Sequence, residues 1–348
     1  MTSEQSSAAP LLSVRDLKTH FLMDEGVVKA VDGVSFDVYA GQTFGIVGES
    51  GCGKSVTIKS ILRIVEAPGK IVHGRILLRR PRRDGASGEE ELDLVGLDAR
   101  GEEIRSIRGG QIALIPQEPM TSFSPVHTIG NQIVETIMLH QSIGKKAARD
   151  LAHDMLRDVG IPMPGRRLDE YSWQLSGGLR QRAIIAMALC CHPRLLIADE
   201  PTTAVDVTTQ AQVLRLLREL QQERNSAIIF ITHDLGVIAQ MARYVMVMYL
   251  GLVMEQGPVD AIFHAPKHPY TQALLRSIPS VSSQPRVKLP TISGSIPHPF
   301  NKPKGCPFHP RCTQRIPGRC DVRTPALQAV GDGQLVSCFL YHDAEVSE

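Results

Sequence analysis

Residues 48–55 read Gly-Glu-Ser-Gly-Cys-Gly-Lys-Ser, directly after the apolar run Phe44-Gly45-Ile46-Val47. The stretch matches G-x-x-x-x-G-K-[ST], with Gly48, Gly53, Lys54 and Ser55 at the fixed positions. Phosphate oxygens need several N–H donors at short range. Glycines permit the tight loop and remove side chains that would block the approach. A helix opening at Lys54 would add free N–H groups and its positive dipole end. Lys54 would set a point charge against the β- and γ-phosphates, and the Ser55 hydroxyl would ligate Mg²⁺. Glu49, Ser50, Gly51 and Cys52 complete the loop, and Val56 carries it into the helix. Taken alone, the stretch also fits a glycine turn between strand and helix with no ligand.

A second stretch, "LLIADE", places Asp199 at the end of an apolar strand, with Glu200 next. A carboxylate there can hold Mg²⁺ through water, and the following one can orient and deprotonate a water attacking the γ-phosphate. Two solvated acids at a strand end is the plainer alternative, and it is weak beside a phosphate loop. His233 closes the next apolar strand, "AIIFITH", where its side chain could meet the γ-phosphate. A lone histidine is more often structural, but this order of motifs favours a function.

The elements that carry these residues follow from periodicity. "LLSVRDL" and "VSFDV" alternate, and "TFGIV" is a short apolar strand. Residues 54–66 read as a helix with Ile58, Ile61, Leu62 and Val65 on one face, and 74–96 as a hairpin region with a charged, solvated tip. "QIALIPQ" is a strand. The pattern turns helical from 128 to 191, and "TTQAQVLRLLRELQQERN" is an amphipathic helix with Val213, Leu216, Leu217 and Leu220 inward. Strands alternating with helices over about 230 residues predict an α/β fold with a largely parallel sheet.

Of 348 residues, 43% are hydrophobic and 21% charged, as in a globular protein. A net charge of +2 and 5% aromatics give no reason to expect nucleic acid as a partner. The opening "MTSEQSSAAP" lacks the basic and apolar regions of a secretion signal and reads as a frayed tail. No run reaches the ~18 apolar residues of a membrane span. "YVMVMYLGLVM" reads as two strands around Gly251, so work at a membrane requires a partner to hold the chain there. Seven cysteines, an odd number, do not suggest a disulfide framework. Cys190 and Cys191 read as small core residues.

At "LSGGLRQR" the set becomes specific. Leu175-Ser176-Gly177-Gly178 with Leu179-Arg180-Gln181-Arg182 resembles the signature of the ATP-binding-cassette (ABC) ATPases. The order phosphate loop, Gln117, signature, Asp199-Glu200, "TTAVD", His233 resembles that family over residues 11–280. The resemblance implies a RecA-like core, an antiparallel β-subdomain and a helical subdomain at about 118–190, binding ATP and Mg²⁺ and hydrolysing ATP to ADP and phosphate. It implies that Gln117 ligates Mg²⁺ and senses a membrane partner, and that Asp206 bridges two nucleotide sites. It implies too that Ser176, Gly177 and Gly178 serve an ATP held by a second cassette. The residue reading agrees, since a glycine-bearing helix start is an anion site. Phe21 is the candidate for stacking on adenine, with burial in a hairpin as its alternative.

"GKSVT", "PQEPMTSFSP", "LSGGLRQRAIIAMAL" and "HPYTQALL" resemble the oligopeptide/dipeptide/nickel importer ATPases, first subunit type. That implies a heterodimer with a second ATPase subunit, two permease subunits, a solute-binding protein, and a peripheral place on the cytoplasmic face of the inner membrane. Phe123-Ser124 and Val205 depart mildly from the group's usual "TSLNP" and Leu. A soluble ABC ATPase acting on nucleic acid or ribosomes is the alternative, and a metal-sensing adaptor with a vestigial cassette is a third.

Composition shifts near 280, and 281–348 form a separate tail module too poor in apolar residues to fold unaided. Its staple is the set Cys306-x5-Cys312-x7-Cys320-x17-Cys338. These intervals are wider than the usual zinc pairs. The tail "GCPFHPRC" resembles a module that carries [4Fe–4S] in this importer group. Zn²⁺ and free core thiols are the alternatives. Lys302, Lys304, Arg311, Arg315 and Arg319 would offset an anionic cluster.

Overall fold

Alternating apolar residues draw β1 (Leu12–Met23) and β2 (Gly26–Val38) into a hairpin. In β1 the buried face begins on even positions, Leu12 and Val14, and continues on odd ones, Leu17 and Thr19. The switch falls where a register shift separates Arg15 from Lys18 and Asp16 takes a φ of 44°. One extra residue at such a bulge turns the following side chains over. A computed structural model describes residues 9–82, 87–118, 122–202, 206–278 and 292–341. The polar start, the 83–86 loop tip, Thr121, Val205 and the junction at 280–281 lie outside the described residues.

The chain divides into two units, one of Met1–Asp37, Phe44–Val95 and Thr232–Glu348, the other of Val38–Thr43 and Gly96–Ile231. In the first, β1 and β2 join β4 (Gly69–Pro81) and β5 (Glu89–Asp93) in an antiparallel sheet of order β2-β1-β4-β5. β3 (Thr43–Val47) is wholly buried and pairs in parallel with β9 (Tyr244–Tyr249), Phe44 opposite Tyr244. α1 (Lys54–Ile61) follows β3 and is shorter than the predicted 54–66. Arg63 takes a left-handed φ of 56° and ends it. β10 (Leu252–Pro258) runs antiparallel to β9. The two-residue link Leu250-Gly251 permits no other direction.

The second unit holds α2 (Glu102–Ile107), then β6 (Ile112–Ile115). α3 (Ile129–His140), α4 (Lys145–Asp158), the single turn α5 (Pro164–Arg167) and α6 (Gly177–Leu189) come next. α3, α4 and α6 pack on one another, and α6 also meets β6. β7 (Leu195–Asp199) and β8 (Ala227–Ile231) are buried along their full length and run parallel to β6. Between them α7 (Val207–Arg224) buries Val213, Leu216, Leu217 and Leu220, as its spacing predicts.

The first unit ends with α8 (Leu235–Met241), α9 (Val259–His264), α10 (Pro269–Arg276) and two short strands. β11 (Gln328–Ala329) pairs with β12 (Leu335–Val336), which pairs with β10. The expected largely parallel sheet is therefore mixed. β3–β9 and β6–β7–β8 are parallel, whereas β9, β10, β12 and β11 alternate in direction.

Candidate active site

From Val47 the chain turns into α1 through residues 48–53. Gly48, Gly51 and Gly53 hold φ values of 151°, 76° and 104°. A Cβ at Gly48 would strike the Met248 carbonyl, and one at Gly53 the Ala30 carbonyl, so neither position admits a side chain. The Gly251 N–H donates to the Cys52 carbonyl at 2.9 Å and pins the loop from below. Cys52 is buried, and that burial pushes its thiol up, so it packs as a neutral side chain. Lys54 is 6% exposed; its Nζ donates to the carbonyls of Gly48 at 2.7 Å and Glu49 at 3.2 Å. Gly53 offers no capping side chain, so the first N–H groups of α1 are left for an anion. Ser50 is exposed, while Ser55 and Val56 are half-buried in the first turn. A loop shaped by glycines around a desolvated ammonium fits a polyphosphate.

In the other unit Asp199 ends β7 and is 7% exposed. Glu200 follows with a left-handed φ of 48°, a conformation unusual for a side-chain-bearing residue and common where function requires a fixed direction. Its N–H donates to the Ile231 carbonyl at 2.9 Å. Gln117 lies two residues past β6 and is exposed, and its Nε2 reaches Glu200 Oε2 at 3.4 Å. Within this unit the Asp199 carboxylate and the Gln117 amide oxygen are hard oxygen donors of the kind that suit Mg²⁺.

Ser176 is exposed and caps α6, its hydroxyl accepting from the Leu179 N–H at 3.4 Å. A Cβ on Gly177 would meet open space; one on Gly178 would lie 3.2 Å from the Thr209 methyl. Thr209 is bound in turn to Asp206, by N–H at 3.0 Å and hydroxyl at 2.6 Å. The hydroxyl bond from Thr209 is the largest influence holding the Asp206 carboxyl below the usual range. Gly178 and Asp206 therefore both border the Thr209 side chain.

His233 is exposed, two residues beyond β8, just before Asp234 caps α8. Phe21 is half-buried opposite Gly69 in the β1–β4 ladder. Thr19, on the same side of β1, bonds Ser60 of α1 at 2.8 Å.

Cys306, Cys312, Cys320 and Cys338 line one cavity with Phe308, Pro325 and Phe339. All four are free thiols. Burial first, and then neighbouring thiols, push Cys306 up to about 12 and Cys338 up to about 11. Among the described residues no three His, Cys, Asp or Glu side chains are close enough to hold a single metal ion. Two of the basic residues expected to offset a cluster are engaged elsewhere, Lys302 with Asp32 at 3.3 Å and Arg311 with Glu49 at 2.7 Å, while Arg319 lies 4.8 Å over the ring of Phe339, which lines the cysteine cavity. Sequence reasoning missed Tyr270 and Arg311 as neighbours of the phosphate loop. The signal was Glu49, an acid inside an anion-binding loop, which calls for a cation.

These features define an ATP-binding cassette of the ABC type. The "ABC transporter" family matches residues 31–203, and the "Oligopeptide/dipeptide transporter, C-terminal region" family matches 254–320. The dipeptide transport ATP-binding protein DppD of Escherichia coli K12 is 45% identical over 331 residues, 94% of this chain and 96% of that one. The oligopeptide transport ATP-binding protein AppD of Bacillus subtilis 168 is 46% identical over 333 residues, 96% and 97% of the two chains. The dimeric structure of MJ0796, a bacterial ABC transporter cassette, superposes with a TM-score of 0.60. It is 24% identical and covers 71% of this chain and 98% of its own, a likeness of fold. The chain belongs to the family of ATP-binding subunits of dipeptide and oligopeptide ABC transporters. It is an ABC ATPase that couples ATP hydrolysis to transport.

Proposed function

We propose that this chain powers uptake of peptides through a membrane permease, with nickel, opines or oligosaccharides as the alternative cargoes of the same class. The cassette spans 11–280, with the helical subdomain at about 118–190, and the C-terminal module spans 281–348. The phosphate loop 48–56, with Lys54 and Ser55, binds the ATP phosphates, and Phe21 stacks on adenine. Ser55, Gln117 and Asp199 hold Mg²⁺, which neutralises phosphate charge when bound. Glu200 takes a proton from the attacking water as its oxygen bonds to the γ-phosphorus. The bond from that phosphorus to the β–γ bridging oxygen breaks, leaving ADP and phosphate. His233 contacts the γ-phosphate.

The observation that carries this reading is the exposed helix start at Ser176-Gly177, an anion site turned to solvent. It serves the ATP of a second cassette, a different ATPase subunit of the same transporter, and Asp206 links the two sites. Closure on ATP and reopening after phosphate release drive the permease, which a solute-binding protein supplies. Docking is supported by a groove on α3 lined by Asn131, Val134, Glu135, Met138, Leu139 and Lys145. Leu139 is 74% exposed there. Ser124 N–H donates to Gln132 of α3 at 2.8 Å, tying the segment beyond Gln117 to that helix. Among the described residues no helix is long and apolar enough to cross a membrane. A peripheral place on the cytoplasmic face, held by the permease, follows from this reading.

The four cysteines hold a [4Fe–4S] cluster. A single Zn²⁺ needs all its thiolates about 2.3 Å from one centre, and among the described residues no three such side chains are grouped to hold one ion. A four-iron cube accepts wider ligands, and four thiols around one cavity suit it. The cluster, when bound, supplies a cross-link between distant parts of the tail.

The test is nucleotide titration. Lys54→Ala weakens ATP binding by at least about tenfold, since it removes the one buried ammonium at the loop. Unchanged affinity would sink the reading.

A further inference from the structure

Glu49 is the second residue of the phosphate loop, and all three of its polar groups are engaged. Its carbonyl accepts from Lys54 Nζ at 3.2 Å, and its N–H donates to the Tyr270 hydroxyl at 3.0 Å. Its carboxylate takes both prongs of one guanidinium: Arg311 Nη1 to Oε2 at 2.7 Å and Nη2 to Oε1 at 3.0 Å. Arg311 comes from the C-terminal segment, 262 residues further along the chain, beside Cys312. Its side chain is 4% exposed.

The guanidinium is itself held in place. Nη1 also donates to the Tyr249 hydroxyl at 3.2 Å, and Nε donates to the Ser293 carbonyl at 3.1 Å. Tyr249, Tyr270 and Phe308 form an aromatic cluster, and the guanidinium lies 5.8 Å from the Tyr249 ring centre and 6.0 Å from that of Phe308. A fork fixed on several sides is rigid, and it fixes the carboxylate it grips.

Glu49 is an awkward residue for its place. A free carboxylate in a polyphosphate cradle repels its ligand, and in a partly desolvated loop that repulsion is poorly screened. It would also compete with phosphate for Lys54. Pairing with Arg311 removes both faults. The negative charge is neutralised, and the Glu49 carboxylate is drawn toward the aromatic cluster, which leaves Lys54 bound to the Gly48 and Glu49 carbonyls and the Cys52 sulfur and to no carboxylate.

We propose that Arg311, delivered by the cysteine-bearing segment, is a positioning residue for the phosphate loop: it neutralises Glu49 and sets the loop in the shape that receives ATP. The inference rests on the reading of 48–56 as the ATP site and names the part of the chain that tunes it. It gives the C-terminal segment a direct line to the nucleotide. Arg311 stands beside Cys312, one of the four cysteines that line the 306–338 cavity, and Arg311 holds the loop.

The experiment is a double-mutant cycle on the full-length chain, read as affinity for a fluorescent ATP analogue by titration. Arg311→Met keeps the length and apolar stem that lie among the aromatic rings and removes the charge. It is expected to weaken binding at least about tenfold, because losing one partner of a desolvated charge pair leaves the other charge buried and unpaired. In a Glu49→Gln background, where no carboxylate is left exposed, the same change is expected to cost less than about twofold. Arg311→Lys, which pairs with one oxygen instead of two, is expected to recover most of the affinity. Equal losses in both backgrounds would mean that Arg311 only packs, and no loss in the parent would mean that it does not act on the loop. Either result overturns the proposal. If Arg311→Met does not fold, Arg311→Lys carries the cycle: a loss of about threefold in the parent that vanishes with Glu49→Gln supports the proposal. No difference between those backgrounds overturns it. Lys54→Ala separates the two readings. Normal binding by that variant fails the ATP site itself, whereas lost binding there with intact binding in Arg311→Met fails only this inference.

Discussion

In the proposed mechanism Glu200 joins a strand end to a reaction. Its left-handed φ of 48° and its bond to the Ile231 carbonyl fix the direction in which the carboxylate leaves the sheet. A glutamine has the same shape and can still orient water, but it cannot take the proton. Glu200→Gln in the assembled transporter is therefore expected to bind ATP within about twofold of the parent and to lose at least about a hundredfold in turnover. ATPase assay beside nucleotide titration checks this, and near-normal turnover would remove Glu200 from the proton-transfer role. The candidate residues were legible here because their types and spacing are set by phosphate chemistry: glycines where a Cβ would strike carbonyls, a lysine, a hydroxyl and strand-end acids. Arg311 was not legible. It stands next to a cysteine and reads as a counter-charge for the tail, while its partner is 262 residues away. No local pattern encodes that pairing.

The helices with clear periodicity, α7 above all, bury the face that their spacing predicts. The periodic pattern fails where a backbone event interrupts it. Arg63 ends α1 before the predicted helix does, and the bulge near Asp16 moves the buried face of β1 to the other set of positions. The start of α10 shows a subtler dependence. His268 is fully buried, and its Nδ1 accepts from the Tyr270 N–H at 3.0 Å. Burial pushes its imidazole down to about 3. The folded state thus keeps His268 neutral where the unfolded chain, with a pKa near 6.5, takes up a proton. Its contribution to stability is complete above about pH 6.5 and is lost as the pH falls from there toward 3. His268→Asn caps the helix without titrating, so its midpoint of thermal unfolding should fall less than the parent's between pH 7 and about 5. Parallel curves would show that the burial of this ring does not govern the acid response.

For the assembled protein the tail is the part to measure. If the thiols hold a four-iron cluster, anaerobically prepared protein should contain about four iron and four sulfide per chain. Cys312→Ser should lower both and destabilise the segment that bears Arg311. Zinc without sulfide in the parent would rule the cluster out. The order of motifs along the sequence was enough to establish a phosphate-binding ATPase of the ABC type, because covalent neighbours alone build the loop, the capped helix start and the acid-tipped strand. Long-range pairing lay beyond its reach: β12 on β10, four distant thiols around one cavity, and a tail arginine on the acid of the phosphate loop. Those contacts join residues with no regular spacing between them, and each exists only after the intervening chain has folded and excluded water from the site where they meet.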